Sequence, residues 1–358
     1  MKFFFLKPPK KKILIFDRQF DNYSFFKLFK KNDCEILDVR YESLNIYVIF
    51  AVFLKTGLSN IKKNYLIKYI SLVSPKIVVT FIDNNFFFYE LKKYYPDAKY
   101  IAIQNGRRDK FFFKNLEKSS KKKLFSDYIF VHGNIIKKKI SKFIRAKIIV
   151  LGSLKNNFFI TKKKNKKVNS IVFISQIKLG RNIKYTHLGE IYILNLLKKF
   201  CKKKKLKLKI FLKGDYYNDY KFSSFIKKNL QVVNKTEILE RQKNIIKQLN
   251  NYNFFVCMDS TLGYEMFSRK KKVVFFPSIN LSKDKLMRYF QFGYPQSLKN
   301  KGFFWNNTFH EKKNFEILNN VLKLKKKKWN ALIKNHILNH MAYYPGNKKL
   351  KNIINSLL

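Results

Sequence analysis

Short, continuously apolar segments, each closed by a polar or glycine-bearing turn and set apart by helical periodicity, constrain this chain more than any other feature. In the first 160 residues they are Lys12–Phe16 (KILIF), Cys34–Val39, Ile77–Phe81 (IVVTF), Tyr100–Ile103, Tyr128–Val131 and Lys147–Leu151. Helical stretches lie between them, including Phe86–Tyr95, which stops before Pro96, and Asn134–Phe143. A strand with one wet face alternates apolar and polar residues. Unbroken apolar runs mark strands covered on both faces, the habit of a parallel sheet inside an α/β unit.

A second series follows the lysine-rich stretch Phe159–Val168, which reads as a linker. Strands are predicted at Ser170–Ile174 (SIVFI), Leu206–Leu212, Val232–Val233, Phe254–Met258 and Lys272–Phe276, the last closed by Pro277. Helices are predicted at Glu190–Phe200, Tyr220–Asn229, Ile238–Asn250 and Leu262–Arg269, with helical periodicity again from Glu316. The expected architecture is two doubly wound α/β units facing each other across a cleft, 1–160 and 168–315, followed by C-terminal helices over 316–358. A length of 358 residues suits two domains of ordinary size.

Charge is the next constraint. The chain carries 77 Lys+Arg against 22 Asp+Glu, a net +55, yet only nine of the basic residues are Arg. Tracts such as Lys162–Lys167 and Lys202–Lys205 are almost pure Lys, whereas gripping bases and phosphates favours the planar Arg fork. The charge thus reads first as a biased, solvated surface and second as attraction to an anionic membrane or polyanionic substrate; specific nucleic-acid recognition ranks last. A hydrophobic fraction of 46% excludes a disordered polycation. Three cysteines, Cys34, Cys201 and Cys257, exclude a disulfide framework and a four-thiolate zinc site, and suit a reduced, cytoplasmic compartment. The longest clean apolar run, Ile46–Leu54, is nine residues, against about 20 for a spanning helix. The start, Met1–Leu6, is stopped by Lys7, Pro8 and Pro9 and makes a poor signal peptide.

In open α/β sheets ligands meet the carboxyl ends of the strands. The turns there hold Asp17 and Arg18, then Asn105, Arg107, Arg108 and Asp109, then His132. Where Lys is the default, Arg at strand ends suggests positions that need a planar donor fork. The strongest local signal is Phe254-Phe-Val-Cys-Met-Asp259-Ser260-Thr261-Leu262-Gly263-Tyr264-Glu265. A strand delivers Asp259, Ser260 and Thr261 to its tip and a helix begins at once. The first turn presents unpaired N–H groups, Gly263 would let a ligand approach the backbone, and Glu265 could accept hydrogen bonds from paired hydroxyls. The same residues also make an ordinary N-cap, with Glu265 stabilising the first turn.

The strand–Asp-Ser-Thr-Leu-Gly-Tyr-Glu–helix segment, with the following Arg269-Lys-Lys-Lys-Val-Val-Phe-Phe-Pro, resembles the donor half of GT-B glycosyltransferases. More narrowly, it is similar to bacterial surface-carbohydrate biosynthesis proteins, distantly akin to the glycerophosphate polymerases of wall teichoic acid synthesis. The residue-level match covers Asp259–Glu265 and, less closely, Ile174–Arg181. The resemblance implies two Rossmann-like domains and a metal-independent glycosyltransferase without cofactor. Its nucleotide-sugar donor would meet Gln176, Lys178, Arg181, Asp259, Ser260, Thr261, Gly263 and Glu265. Its acceptor would be a surface glycan or lipid-linked precursor, at the inner face of the cytoplasmic membrane. A polyol-phosphate transferase or a sugar-nucleotide epimerase of the same fold is the alternative, and a basic nucleic-acid-associated α/β protein the competitor from another class.

Arg18, Asn105, Arg107 and Arg108 are the acceptor or phosphate candidates. If transfer inverts the sugar, Asp17, Asp109 and His132 are the candidate bases, with Asp109 better suited to positioning the neighbouring Arg pair. Phe16-Asp-Arg-Gln-Phe-Asp lacks the glycine-rich loop of several such enzymes, which leaves acceptor contacts there unassigned. Asp215 and Asp219 read as surface rather than a metal pair, His336 and His340 as a solvated helix face, and Cys257 as buried and inert. Phe303–Trp305 is expected in the inter-domain core or, failing that, as a lid or membrane contact.

Overall fold

The computed structural model describes the chain except for residues 18–25, 41, 58, 122, 161–167, 177–182, 213–217, 231–237, 240–244, 259 and 278–300. The chain divides into two compact units. Unit 1 comprises Met1–Arg108, Phe112–Phe158 and Ala342–Leu358; unit 2 comprises Asp109–Phe111 and Phe159–Met341.

Unit 1 begins with β1 (Lys2–Phe4), β2 (Ile13–Phe16), β3 (Cys34–Leu37) and β4 (Ser43–Asn45), then α1 (Ile46–Thr56) and α2 (Ile61–Val73). It continues with β5 (Ile77–Thr80), β6 (Lys99–Ile103), α3 (Lys110–Ser120), β7 (Leu124–Val131), α4 (Asn134–Ile140), β8 (Ile144–Val150) and α5 (Leu154–Phe158). Its six-stranded sheet has the order β3-β2-β5-β6-β7-β8, all parallel. Leu14, Phe16, Val78, Tyr100 and Val131 fill one core, while Ile13, Ile15, Val79, Ile101 and Phe130 fill another. The central strands β2, β5 and β6 are thus buried on both faces, which is why their apolar runs are unbroken.

Where the sequence predicts an α-helix over Phe86–Tyr95, the chain forms a 3-10 stretch, Phe86–Lys93, on the way to β6. Pairing of β1 with β4 adds a two-stranded parallel sheet that the sequence pattern did not signal.

Unit 2 holds β9 (Ser170–Ile174), α6 (Ile183–Lys204), β10 (Lys207–Phe211), α7 (Tyr220–Leu230), α8 (Ile245–Leu249), β11 (Phe254–Cys257), α9 (Thr261–Ser268) and β12 (Lys272–Phe275). β13 (Lys301–Gly302), β14 (Trp305–Asn306), α10 (Glu311–Lys323) and α11 (Lys326–His340) complete it. The sheet order is β10-β9-β11-β12-β14-β13, parallel save for β13 against β14. The helix predicted from Ile238 does not begin there: Ile238 bridges to Ile210 at the sheet edge, and helix is described only over α8. The strand predicted at Val232–Val233 and the pair member Asp215 lie outside the described residues. Phe304 and Trp305 are buried in the core of unit 2, against His336 and Trp329, so the stretch is neither lid nor membrane contact; only Phe303 is exposed. His336 and His340 are half-buried and their rings stack, rather than lining a solvated face.

The last helix, α12 (Lys348–Leu357), belongs to unit 1, where Leu350 and Ile354 are buried beside β2 and β5. The approach is fixed at Gly152, whose φ of +78° and contact with Ala342 exclude a side chain: a Cβ would lie 2.0 Å from the Ala342 carbonyl oxygen. Asn157 Nδ2 donates to Asn347 Oδ1 at 3.0 Å, and both residues are fully buried.

Candidate functional site

In unit 1 the strand order reverses between β2 and β5, so the loops at their carboxyl ends diverge and leave a crevice, the usual ligand position in such sheets. Asp17 stands at the end of β2. Its φ of +61° is left-handed, a conformation that costs a non-glycine residue roughly 1–3 kcal/mol and that clusters at functional sites. Its carboxylate is buried and accepts from Arg40 Nε at 2.8 Å. Burial raises the Asp17 pKa above the ordinary 3.8, against the lowering effects of Arg40 and a hydrogen bond from Asn85. A cavity of about 870 Å³ opens in front of it, lined by Asp17, Arg40, Lys62, Asn84, Asn85 and Phe86 among others.

The next strand ends carry a buried polar network. Asp83, after β5, is 1% exposed and accepts from Arg108 Nε at 2.9 Å and from Arg108 Nη2. Asn105 donates its backbone N–H to Asp83 at 3.2 Å, and its side-chain oxygen accepts from Arg108 Nη2 at 2.7 Å. The guanidinium also lies 5.1 Å from the Phe112 ring centre. The Arg108 fork is therefore engaged by Asp83. Arg107 is half-buried beside it.

His132, at the end of β7, is tied in through its backbone: its N–H donates to Gln104 Oε1 at 2.7 Å, and its carbonyl accepts from Ala342 N–H at 2.8 Å. Gln104 Nε2 in turn donates to Gly106 O at 2.7 Å. Burial, assisted by the charge of Arg108, lowers the His132 pKa from 6.5 to about 3. The imidazole is neutral at physiological pH and a weak base.

In unit 2 the strand order reverses between β9 and β11. Ser175 and Gln176 end β9, and both bind Glu190 of α6: Ser175 Oγ donates to Oε2 at 2.5 Å, and the Gln176 N–H donates to Oε1. Glu190 has no exposed surface. At the end of β11, Ser260 takes extended angles and caps α9, its Oγ accepting from Leu262 N–H at 3.3 Å while its carbonyl accepts from Gly263 and Tyr264. The helix end is thus capped from within rather than bare. Gly263, expected to admit a ligand, lets the helix pack closely on the strand: a Cβ there would lie 2.2 Å from Cys257 Sγ. Thr261 is half-buried and Glu265 buried in the same helix. Cys257 is fully buried.

Arg18, Lys178, Arg181 and Asp259 lie outside the described residues. Within unit 1 the structure brings Asn105 and Arg108 together, and within unit 2 Ser260, Thr261 and Glu265. Sequence reasoning missed Arg40 and Glu190 and gave no role to Asp83 and Gln104, which stand in the polar turns at the ends of β5 and β6. Asp83 was findable, since it ends an apolar run as Asp17 does; Glu190 lies 15 residues beyond Ser175 and carries no local signal. Among the described residues no cluster of three or more His, Cys, Asp or Glu could hold a metal ion, and no helix is long and apolar enough to cross a membrane.

Two doubly wound units of this kind define a GT-B type of fold, and solved structures agree along the whole chain. The S. aureus MnaA–UDP co-structure matches with a TM-score of 0.53 at 13% identity, over 97% of this chain and 96% of that one. The UDP-GlcNAc 2-epimerase of Methanocaldococcus jannaschii matches with a TM-score of 0.52 at 12% identity, over 100% and 99%. The wall teichoic acid polymerase TagF, H444N with CDPG, matches with a TM-score of 0.52 at 12% identity, over 98% and 88%. No curated protein sequence matches the chain. A family model described as "putative O-antigen biosynthesis protein" matches residues 101–358, and the chain belongs to that family.

Proposed function

We propose that this protein is an enzyme of surface-carbohydrate biosynthesis that acts on a nucleotide-activated sugar. The observation that carries the reading is the family match, which spans unit 2 entire and ties the chain to O-antigen biosynthesis. Whole-chain likeness to structures determined with UDP and with UDP-GlcNAc supports a nucleotide sugar as the substrate class. Epimerisation of the sugar is the first reading, because UDP-GlcNAc 2-epimerases recur among the similar structures. Group transfer to a glycan or lipid-linked acceptor is the second, favoured by the likeness to TagF.

Epimerisation at a sugar carbon needs a group that accepts its proton, and transfer with inversion needs one that accepts the proton of the acceptor hydroxyl. Asp17 suits the task better than His132. Burial raises its pKa above the ordinary 3.8 and so makes it a stronger base than an exposed carboxylate, whereas His132 is enclosed and too weakly basic. Ser260, Thr261 and Glu265 are assigned to the nucleotide-sugar, with Glu265 accepting from its hydroxyls. The Asp83–Arg108 pair holds the loops after β5 and β6 in place rather than meeting substrate.

Proton and phosphorus NMR of the protein with UDP-GlcNAc and related nucleotide sugars separates the readings. A new nucleotide-sugar without acceptor supports epimerisation; release of nucleotide only with an acceptor extract supports transfer. A folded protein that changes none of them in either condition contradicts the proposal.

A further inference from the structure

The outer side of the β1–α1 element carries an apolar patch that no described residue covers. Phe3, Phe4, Phe5 and Leu6 are exposed, Leu6 to 83%. On α1, Val48 and Val52 face the core, while Tyr47, Phe50 and Leu54, at three- and four-residue spacing, form a second stripe with Phe53 beside it. Phe50 is 59% and Leu54 69% exposed. A surface helix normally turns charged residues to water, yet Lys55 is the lone charge in α1. Contiguous exposed apolar surface of this kind marks an interaction site.

The patch is a built element. β1 pairs with β4, and Asn45 joins strand to helix: its side-chain oxygen accepts from Val48 N–H at 3.1 Å, and its amide donates to the Leu6 carbonyl at 2.9 Å. Exposed Lys2, Lys7, Lys10 and Lys55 lie along the same segments. There is no Asp or Glu from Met1 to Phe16 or from Ser43 to Ile82.

We propose that this patch docks on a bilayer that contains anionic lipid. The aromatic and aliphatic side chains enter the boundary between headgroups and acyl chains, and the lysines meet lipid phosphates. Charge complementarity selects this occupant. Two copies of a chain with net charge +55 repel, and an apolar face flanked by Lys2, Lys7, Lys10 and Lys55, with Glu42 at its border beside Lys2, matches a negative surface. The inference is independent of the reaction the enzyme performs.

The test is cosedimentation of the full chain with phosphatidylcholine vesicles, with and without phosphatidylglycerol. Binding is expected only with phosphatidylglycerol, and to weaken at least about tenfold in Phe50→Ser/Phe53→Ser/Leu54→Ser. Lys202→Glu/Lys203→Glu on α6, which reverses exposed charge elsewhere, is expected to change it less than about twofold. Equal weakening by both sets would assign binding to diffuse charge and overturn the proposal, as would no binding to anionic vesicles. A concentration-dependent dimer that the triple variant dissolves would overturn it in favour of a second copy. Should the triple variant unfold, Phe50→Trp serves instead: its fluorescence is expected to shift to the blue and be quenched by lipids brominated in their acyl chains. Unchanged emission on vesicle addition overturns insertion.

Discussion

Gly263→Ala sets a Cβ 2.2 Å from Cys257 Sγ and 2.8 Å from Cys257 Cβ. Carbon atoms rest at about 3.5–4.0 Å, so α9 and β11 must separate by about 1 Å or more to accept one methyl group. Cys257 is fully buried in a strand paired on both sides, and such overpacking costs about 1–3 kcal/mol, here toward the upper end. For a unit of this size that lowers Tm by about 6–12 °C. The assay is urea and thermal unfolding of wild type, Gly263→Ala, Cys257→Ala and the double variant. Removing Sγ deletes the worse of the two overlaps, so the double variant should recover at least about 1 kcal/mol relative to additivity. Glycine as a door for ligand makes the opposite forecast. If Gly263→Ala unfolds like wild type while its nucleotide affinity falls, the packing argument is refuted.

Arg108→Ala leaves Asp83 buried without its guanidinium and is expected to destabilise unit 1 by about 3–5 kcal/mol; an unfolding midpoint within error of wild type would contradict a structural pair. His132 gives a pH signature. Its folded pKa of about 3 lies below the unfolded 6.5, so between these values the unfolded chain binds the proton and stability falls as pH drops. Wild type should lose about 2 kcal/mol between pH 7 and pH 5 that His132→Gln does not lose, read from urea midpoints at the two pH values. Asp17→Asn is expected to lower turnover about a hundredfold or more, with the fold retained. Because the raised Asp17 pKa makes the ionised form a cost above that pKa, the substitution should help stability more at pH 8 than at pH 4. Undiminished turnover would remove Asp17 from the chemistry.

The strands were legible because burial on both faces writes itself as unbroken apolar runs, and KILIF, IVVTF and SIVFI all lie in the parallel sheets. The helix after β11 was legible from its cap, since Ser260 has the right side chain at the right place. Partner choice was not. Neighbouring charge drew attention to Asp109, while nothing in the sequence showed that Arg108 reaches Asp83, 25 residues earlier, at the adjacent strand end. The close packing of Gly263 was hidden for the same reason: what a missing side chain makes room for depends on what packs opposite, here Cys257. The outer stripe of α1 escaped notice because Ile46–Leu54 shows its apolar character but not which side faces water.

The most direct test of the nucleotide-sugar reading is equilibrium binding by isothermal calorimetry of UDP, UDP-GlcNAc and CDP-glycerol to wild type and Glu265→Gln. The account predicts saturable binding of at least one of them by wild type, and at least about tenfold weaker binding by Glu265→Gln at unchanged Tm. A folded wild-type protein that binds none at millimolar concentration, or a Glu265→Gln variant that binds as tightly as wild type, would contradict it.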